Sequence, residues 1–132
     1  MTRTTVRPFL MFEGRAREAM AFYVSVLPDA EILDTVLYGP EQGEHEGWVM
    51  FARFRVAGQE VICNDSTVKH AFTFTPALSL FVEVDDPAEV DRLVGLLGEG
   101  GEALMPVDHY GFSRRFGWVN DRFGVSWQVN CP

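Results

Sequence analysis

Cysteine is scarce in this chain. Cys63 and Cys131 are the only two, and a pair whose second member stands one residue from the C-terminal end makes no disulfide framework. Cys63 falls inside an apolar strand and reads as a small core residue. Long apolar runs are missing as well: no stretch of about eighteen apolar residues exists, and the opening Met1-Thr-Arg-Thr-Thr-Val-Arg7 lacks the apolar segment and cleavage site of an export signal. A soluble, unexported, cytoplasmic protein without a membrane partner is expected. Basic residues are outnumbered, 11 Lys and Arg against 19 Asp and Glu, and a formal charge of −8 repels phosphate backbones and anionic lipid. Nucleic acid is therefore not an expected partner, and the one basic pair, Arg114-Arg115, reads as a salt-bridged surface pair. Histidine is rare too, and His45, His70 and His109 show no metal-ligand spacing.

What is present is a repeat. The chain of 132 residues, 47% of them hydrophobic, has the length of one domain and enough apolar side chains for a core. Pro8-Phe-Leu-Met-Phe-Glu-Gly14 matches Ser79-Leu-Phe-Val-Glu-Val-Asp85. Phe22, Tyr23 and Val26 then fall on Leu93, Val94 and Leu97, and Asp29-Ala-Glu31 falls on Gly100-Gly-Glu102, always at a shift of 71 (79 − 8, 93 − 22, 102 − 31). A constant shift across a strand, a helix and a turn indicates one structural unit used twice.

Each copy reads β-α-β-β-β. The first has a strand near 5 to 12, a helix near 15 to 27 with Ala16, Ala19, Met20, Tyr23 and Val26 on one face, and a strand near 31 to 38. A polar, glycine-rich loop (39 to 47) leads into a hairpin. There Trp48, Met50, Ala52, Phe54 and Val56 alternate with residues that become Arg53 and Arg55 before the turn Ala57-Gly58-Gln59 and the strand 60 to 65. A connector over 66 to 76 reaches the second copy, with a strand at 77 to 84. Its helix carries Asp86 as cap, Pro87 at the first position, Glu89 completing a capping box and Gly98 as stop. Strands near 102 to 107, 113 to 119 and 124 to 130 follow.

Alternation along strands separates two faces. Val125, Trp127 and Val129 form a dry face and leave Ser126, Gln128 and Asn130 opposite. Leu78, Leu80, Val82 and Val84 do the same and leave Ala77, Ser79, Phe81 and Glu83. The repeat adds Pro8, Leu10 and Phe12 to this second face, and matching Gly58 to Gly124 (a shift of 66) adds Glu60, Ile62 and Asn64. Its mixture of aromatic, small and polar residues suits a ligand-accessible wall.

The motifs Pro8-Phe-Leu-Met-Phe-Glu-Gly14, Glu18-Ala-Met-Ala-Phe-Tyr23, Phe74-Thr-Pro-Ala-Leu-Ser-Leu-Phe81 and Gly117-Trp-Val-Asn-Asp-Arg-Phe-Gly-Val-Ser-Trp-Gln128 span nearly the whole chain. By them it resembles the vicinal-oxygen-chelate superfamily of glyoxalase I, bleomycin-resistance proteins and extradiol dioxygenases. Within it the chain is similar to the PhnB-like group, often labelled 3-demethylubiquinone-9 3-methyltransferase. The resemblance implies an α+β fold of two βαβββ modules forming a cup-shaped mixed sheet in a single domain, 1 to 132. Module one is about 1–66, the connector about 66–76 and module two about 77–132. It also implies a homodimer. Metalloenzymes of the superfamily hold one divalent ion through four side chains, and those positions fall here on Pro8, Ile62, Ser79 and Gln128. Only Gln128 is a plausible ligand, so neither a metal nor another cofactor is expected.

Candidate ligand-binding residues are Phe12, Asn64, Asp65, Ser79, Phe81, His109, Tyr110, Trp118 and Gln128. Asp65 with His70, or Asp108 with His109, could pair a carboxylate with an imidazole for proton transfer. Phe12, Trp48, Phe72, Phe74, Phe81, Tyr110, Phe112, Phe116 and Trp118 exceed what the helical stripes need, so they either grip a flat apolar ligand or build a subunit interface. The expected function is metal-independent binding of an unidentified small, partly apolar molecule. The alternative is a lyase, isomerase or dioxygenase of the same superfamily with relocated or no metal ligands. Methyl transfer has no support, since no glycine-rich strand-to-helix turn and no room for the usual methyltransferase sheet is found. A phosphonate ligand is disfavoured by the shortage of Arg and Lys on the second face.

Overall fold

Two helices of 11 residues, α1 (Ala16–Val26) and α2 (Pro87–Leu97), stand 71 residues apart at both ends, as the apolar stripes require. The computed structural model describes residues 2–132, in which one compact unit ends at Lys69 and the other spans His70–Pro132. The first contains β1 (Phe9–Phe12), α1, β2 (Glu31–Leu37), β3 (Val49–Val56) and β4 (Gln59–Asp65). The second contains β5 (Ser79–Glu83), α2, β6 (Glu102–Tyr110), β7 (Ser113–Asn120) and β8 (Ser126–Cys131). Each is a four-stranded mixed sheet, ordered β1-β4-β3-β2 and β5-β8-β7-β6, with the first strand parallel to the last and the other pairs antiparallel.

One face of each sheet is covered by its own helix. In the first unit α1 buries Ala16, Ala19, Met20, Tyr23 and Val26 against β3 and β4, with the Tyr23 and Phe54 rings stacked 6.0 Å apart. In the second, Val90, Leu93 and Leu97 of α2 pack on β7 and β8, where Trp127 and Val129 are buried. Burying each large apolar side chain contributes about 1.5–3 kcal/mol. The helices begin differently. Asp86 caps α2 by accepting from Ala88 N at 3.0 Å, whereas Glu89, expected to complete a capping box, turns to Arg92 at 2.8 and 2.9 Å. Arg92 holds the Glu89 carboxyl below the usual carboxylate range.

Several sequence expectations change here. The loop 39 to 47 contains a short 3-10 helix, Pro40–His45, kinked at Gly43. In β3 the alternation holds only from Ala52 onward: Val49 is buried and Met50 exposed, because the β2–β3 register shifts between Val36 and Leu37. Leu78, assigned to a dry face, is 74% exposed in the turn before β5. Cys131 is not in a loose tail but buried in β8.

Candidate functional site

Strand pairing decides which side chains share a face. In the parallel pair β1–β4, Leu10 stands beside Cys63 and Phe12 beside Asp65, and all four are buried. Leu10 and Phe12 therefore belong to the dry face, not to the open one that a shift of 71 gave them. Gly58 and Gly124, both at positive φ just ahead of the last strands, anchor the comparison. Through them Ile62 corresponds to Gln128, so their partners Phe9 and Phe81 correspond at a shift of 72. The link from β1 to α1 is one residue longer than its counterpart, and a one-residue slip turns every side chain of a strand over.

Asp65 leaves the candidate ligand face for the same reason. It is 1% exposed, and its Oδ1 accepts from Gly14 N at 2.8 Å and Ala16 N at 3.0 Å while Oδ2 accepts from Val49 N at 2.9 Å. It supplies the cap that α1 lacks and ties that helix to β3. Burial, then the charge of Asp65, pushes the neighbouring Cys63 thiol up to about 12, which keeps it protonated and inert.

On the second unit the open face gathers Ser79, Phe81 and Glu83 of β5, Ser126, Gln128 and Asn130 of β8, and Phe116, Trp118 and Asn120 of β7. Four expected residues, Ser79, Phe81, Trp118 and Gln128, lie there, and three of them are joined through Ser126. Trp118 Nε1 donates to Ser126 Oγ at 2.8 Å, the Ser126 and Ser79 hydroxyls share a 2.7 Å hydrogen bond, and Gln128 Nε2 donates to Ser79 Oγ at 3.1 Å. Ser126, the centre of this chain of contacts, was not among the sequence candidates. Its signal was its place two residues before Gln128, opposite Ser79. The two hydroxyls hold two protons and share one between them, and Gln128 spends one of its two amide hydrogens on Ser79, so one hydroxyl proton, one amide hydrogen and the Gln128 carbonyl remain for a guest.

The first unit fills the same positions with charge. Arg7 takes the place of Ser79 at a shift of 72, and Glu60 takes that of Ser126 at a shift of 66. Arg53, which faces Ile62, takes that of Trp118. The contacts repeat as well: Arg7 Nε lies 2.9 Å and Arg53 Nη1 2.8 Å from Glu60 Oε1, with Asp34 on the other side of Arg53 at 2.6 Å. Asp34, then Glu60, raises the Arg53 pKa and keeps the guanidinium charged.

The remaining candidates are dispersed. Asn64 lies on the open face of the first unit, beside Met11, with Oδ1 buried and unpartnered among the described residues. His109 is exposed, and Asp108 Oδ1 accepts from its backbone N at 2.7 Å, so the expected carboxylate–imidazole pair is not what this contact forms. Asp65, expected to pair with His70, has both oxygens taken by backbone N–H groups, while the His70 ring stacks on Phe72 at 4.8 Å. Tyr110 donates to Pro106 O at 2.8 Å and stacks with Phe112 near the β6–β7 turn, where Phe116 closes an aromatic cluster.

The resemblance to metal-binding relatives can be tested on these donors. With the one-residue slip in β1 taken into account, the four positions that the resemblance implies carry Arg7, Ile62, Ser79 and Gln128: a guanidinium, a hydrocarbon, a hydroxyl already bonded to Ser126 and Gln128, and an amide. These side chains do not fit a resident divalent cation. No group of three His, Cys, Asp or Glu side chains able to hold one occurs among the described residues.

Residues 4–130 match the family model described as 3-demethylubiquinone-9 3-methyltransferase. The chain belongs to this family. A PhnB protein from Bacillus cereus is 45% identical and superimposes with a TM-score of 0.93, covering 98% of this chain and 100% of that one. Protein YjdN of Escherichia coli K12 is 24% identical over 137 residues, 93% of this chain and 92% of its own. The fosfomycin resistance protein FosX of Listeria monocytogenes, solved with Mn(II) and sulfate, is 12% identical with a TM-score of 0.64 over 100% of this chain and 94% of that one. That last likeness is one of fold, and the fold is the α+β architecture of the glyoxalase/bleomycin-resistance superfamily. No helix among the described residues is long and apolar enough to cross a membrane.

Proposed function

We propose that the protein binds a small, partly apolar molecule on the open face of the second sheet, without a divalent metal. The observation that carries this reading is the Trp118–Ser126–Ser79–Gln128 chain of hydrogen bonds, which presents directional donors and an acceptor beside the exposed Phe81 ring. Buried or half-buried polar groups of this kind discriminate strongly among ligands, because a guest lacking the matching group strands them. Methyl transfer is not part of the proposal. The backbone N–H groups of Gly14 and Ala16 at the start of α1, where a strand-to-helix turn would cradle a nucleotide-like cofactor, are consumed by Asp65.

Calorimetric titration of small aromatic alcohols and amides tests this. Gln128→Leu is expected to weaken the best binder about tenfold, and a chelator to change nothing. Binding that requires Mn(II), or that is indifferent to Gln128→Leu, refutes the reading. A homodimer is part of the same proposal, supported by the exposed Ile32, Val36, Leu37, Met50 and Phe51 of β2 and β3. Light scattering that gives the mass of a single 14.9 kDa chain would refute the dimer.

A further inference from the structure

Glu83 and Asn130 face each other across β5 and β8 on the open face of the second sheet. Asn130 is only 8% exposed, yet its Oδ1 has no hydrogen-bond partner among the described residues, and its Nδ2 reaches Glu83 Oε2 over a long 3.4 Å. Turning the amide over would set oxygen against carboxylate oxygen, so the stranded atom is the carbonyl oxygen. A buried acceptor left in this way calls for a donor. Asn64, which corresponds to Asn130 at a shift of 66, has the same stranded oxygen in the first unit.

The surroundings say what kind of donor. Glu83 is exposed and makes no ion pair among the described residues. It borders a cleft of 570 Å³ in which Asp85 adds a second carboxylate against the guanidinium of Arg114, the Glu89 carboxylate there being held by Arg92. The Arg114 guanidinium is turned to Pro132 O at 2.6 Å and Cys131 Sγ at 3.1 Å. Phe81, 57% exposed, stands between Ser79 and Glu83 on β5 and offers its ring to a cation. The chain's net charge of −8 draws cations toward it.

We propose that the molecule bound on this face is an organic ammonium ion on an apolar body, held by Glu83, Asn130 Oδ1 and the Phe81 ring. This rests on the reading that the open face of the second sheet is the binding face. The weak tether to Glu83 lets the Asn130 amide rotate about its terminal torsion and deliver the oxygen to the ammonium. An anion such as a phosphonate is rejected at the same place.

Benzylamine, benzyl alcohol and benzoate share one ring and differ only in the polar end, so they are titrated against the whole chain at pH 7 by NMR. The amine is expected to bind about tenfold tighter than the alcohol, and benzoate weakest. Glu83→Gln, at an exposed position that folding tolerates, should erase the preference for the amine over the alcohol. Asn130→Leu, with folding checked by circular dichroism, should reduce it. Benzoate binding tightest, a preference that survives Glu83→Gln, or an amine affinity indifferent to Asn130→Leu each overturns the inference, the last meaning that the oxygen serves water alone. Equal binding of amine and alcohol overturns it while the binding face stands. No binding by any probe overturns both.

Discussion

Replacing Asp65 by Asn removes one charge and adds two hydrogens without changing the side chain's shape, at a position where three backbone N–H groups converge. The two donors on Oδ1, Gly14 and Ala16, can keep an oxygen, but the new amide group then points its hydrogens at Val49 N–H, which sits in a fully buried residue. Hydrogen bonds to a charged group contribute about 1.5–3 kcal/mol each, and a buried donor left unpaired costs about 1–3 kcal/mol. One bond lost, two weakened and one donor stranded give a destabilisation of about 3–5 kcal/mol. That is a large share of the roughly 5–15 kcal/mol that holds a domain folded. Urea unfolding followed by circular dichroism measures it, and the melting temperature should fall by roughly 10 °C or more. An unfolding free energy that falls by less than about 0.5 kcal/mol with an unchanged slope would show that Asp65 is not the anchor of α1, and the cap described for that helix would have to be withdrawn.

Two further outcomes follow from the same geometry. Asp86→Ala, which deletes the single side-chain cap of α2, should cost about 1 kcal/mol in the same unfolding assay; no loss would mean that solvent replaces the cap fully. Cys63, pushed up to about 12, and the equally buried Cys131 should give no fast-reacting thiol toward an alkylating reagent at pH 8 until denaturant is added. Rapid labelling of Cys63 in the native protein would contradict its burial.

The elements written by local chemistry were legible in the sequence. Both helices begin and end close to where their stripes, Asp86, Pro87 and Gly98 place them, and Ser79, Trp118 and Gln128 do meet on one face. What misled was counting. A constant shift of 71 ignores the extra residue between β1 and α1, so Phe12 was put on the wrong side of its strand. Asp65 was misread for another reason: a carboxylate at a strand end looks like a ligand until its partners, 16 to 51 positions away, are seen. Alternation put Ser126 on the same face as Gln128, but its central place shows only once β5 and β7 are known to flank it and bring Ser79 and Trp118 to its hydroxyl. The alternation of Trp48 and Met50 failed where a register shift, invisible in composition, interrupts the β2–β3 pairing.

The guanidinium–carboxylate lattice of the first half and the hydroxyl–amide string of the second occupy matching sites on one duplicated scaffold. After a duplication, one copy can be committed to holding its own sheet together while its twin stays free to acquire new specificities. Exchanging Arg7, Arg53, Glu60 and Ile62 as a set with Ser79, Trp118, Ser126 and Gln128 would therefore move recognition from one half of the molecule to the other, with the backbone left as it is.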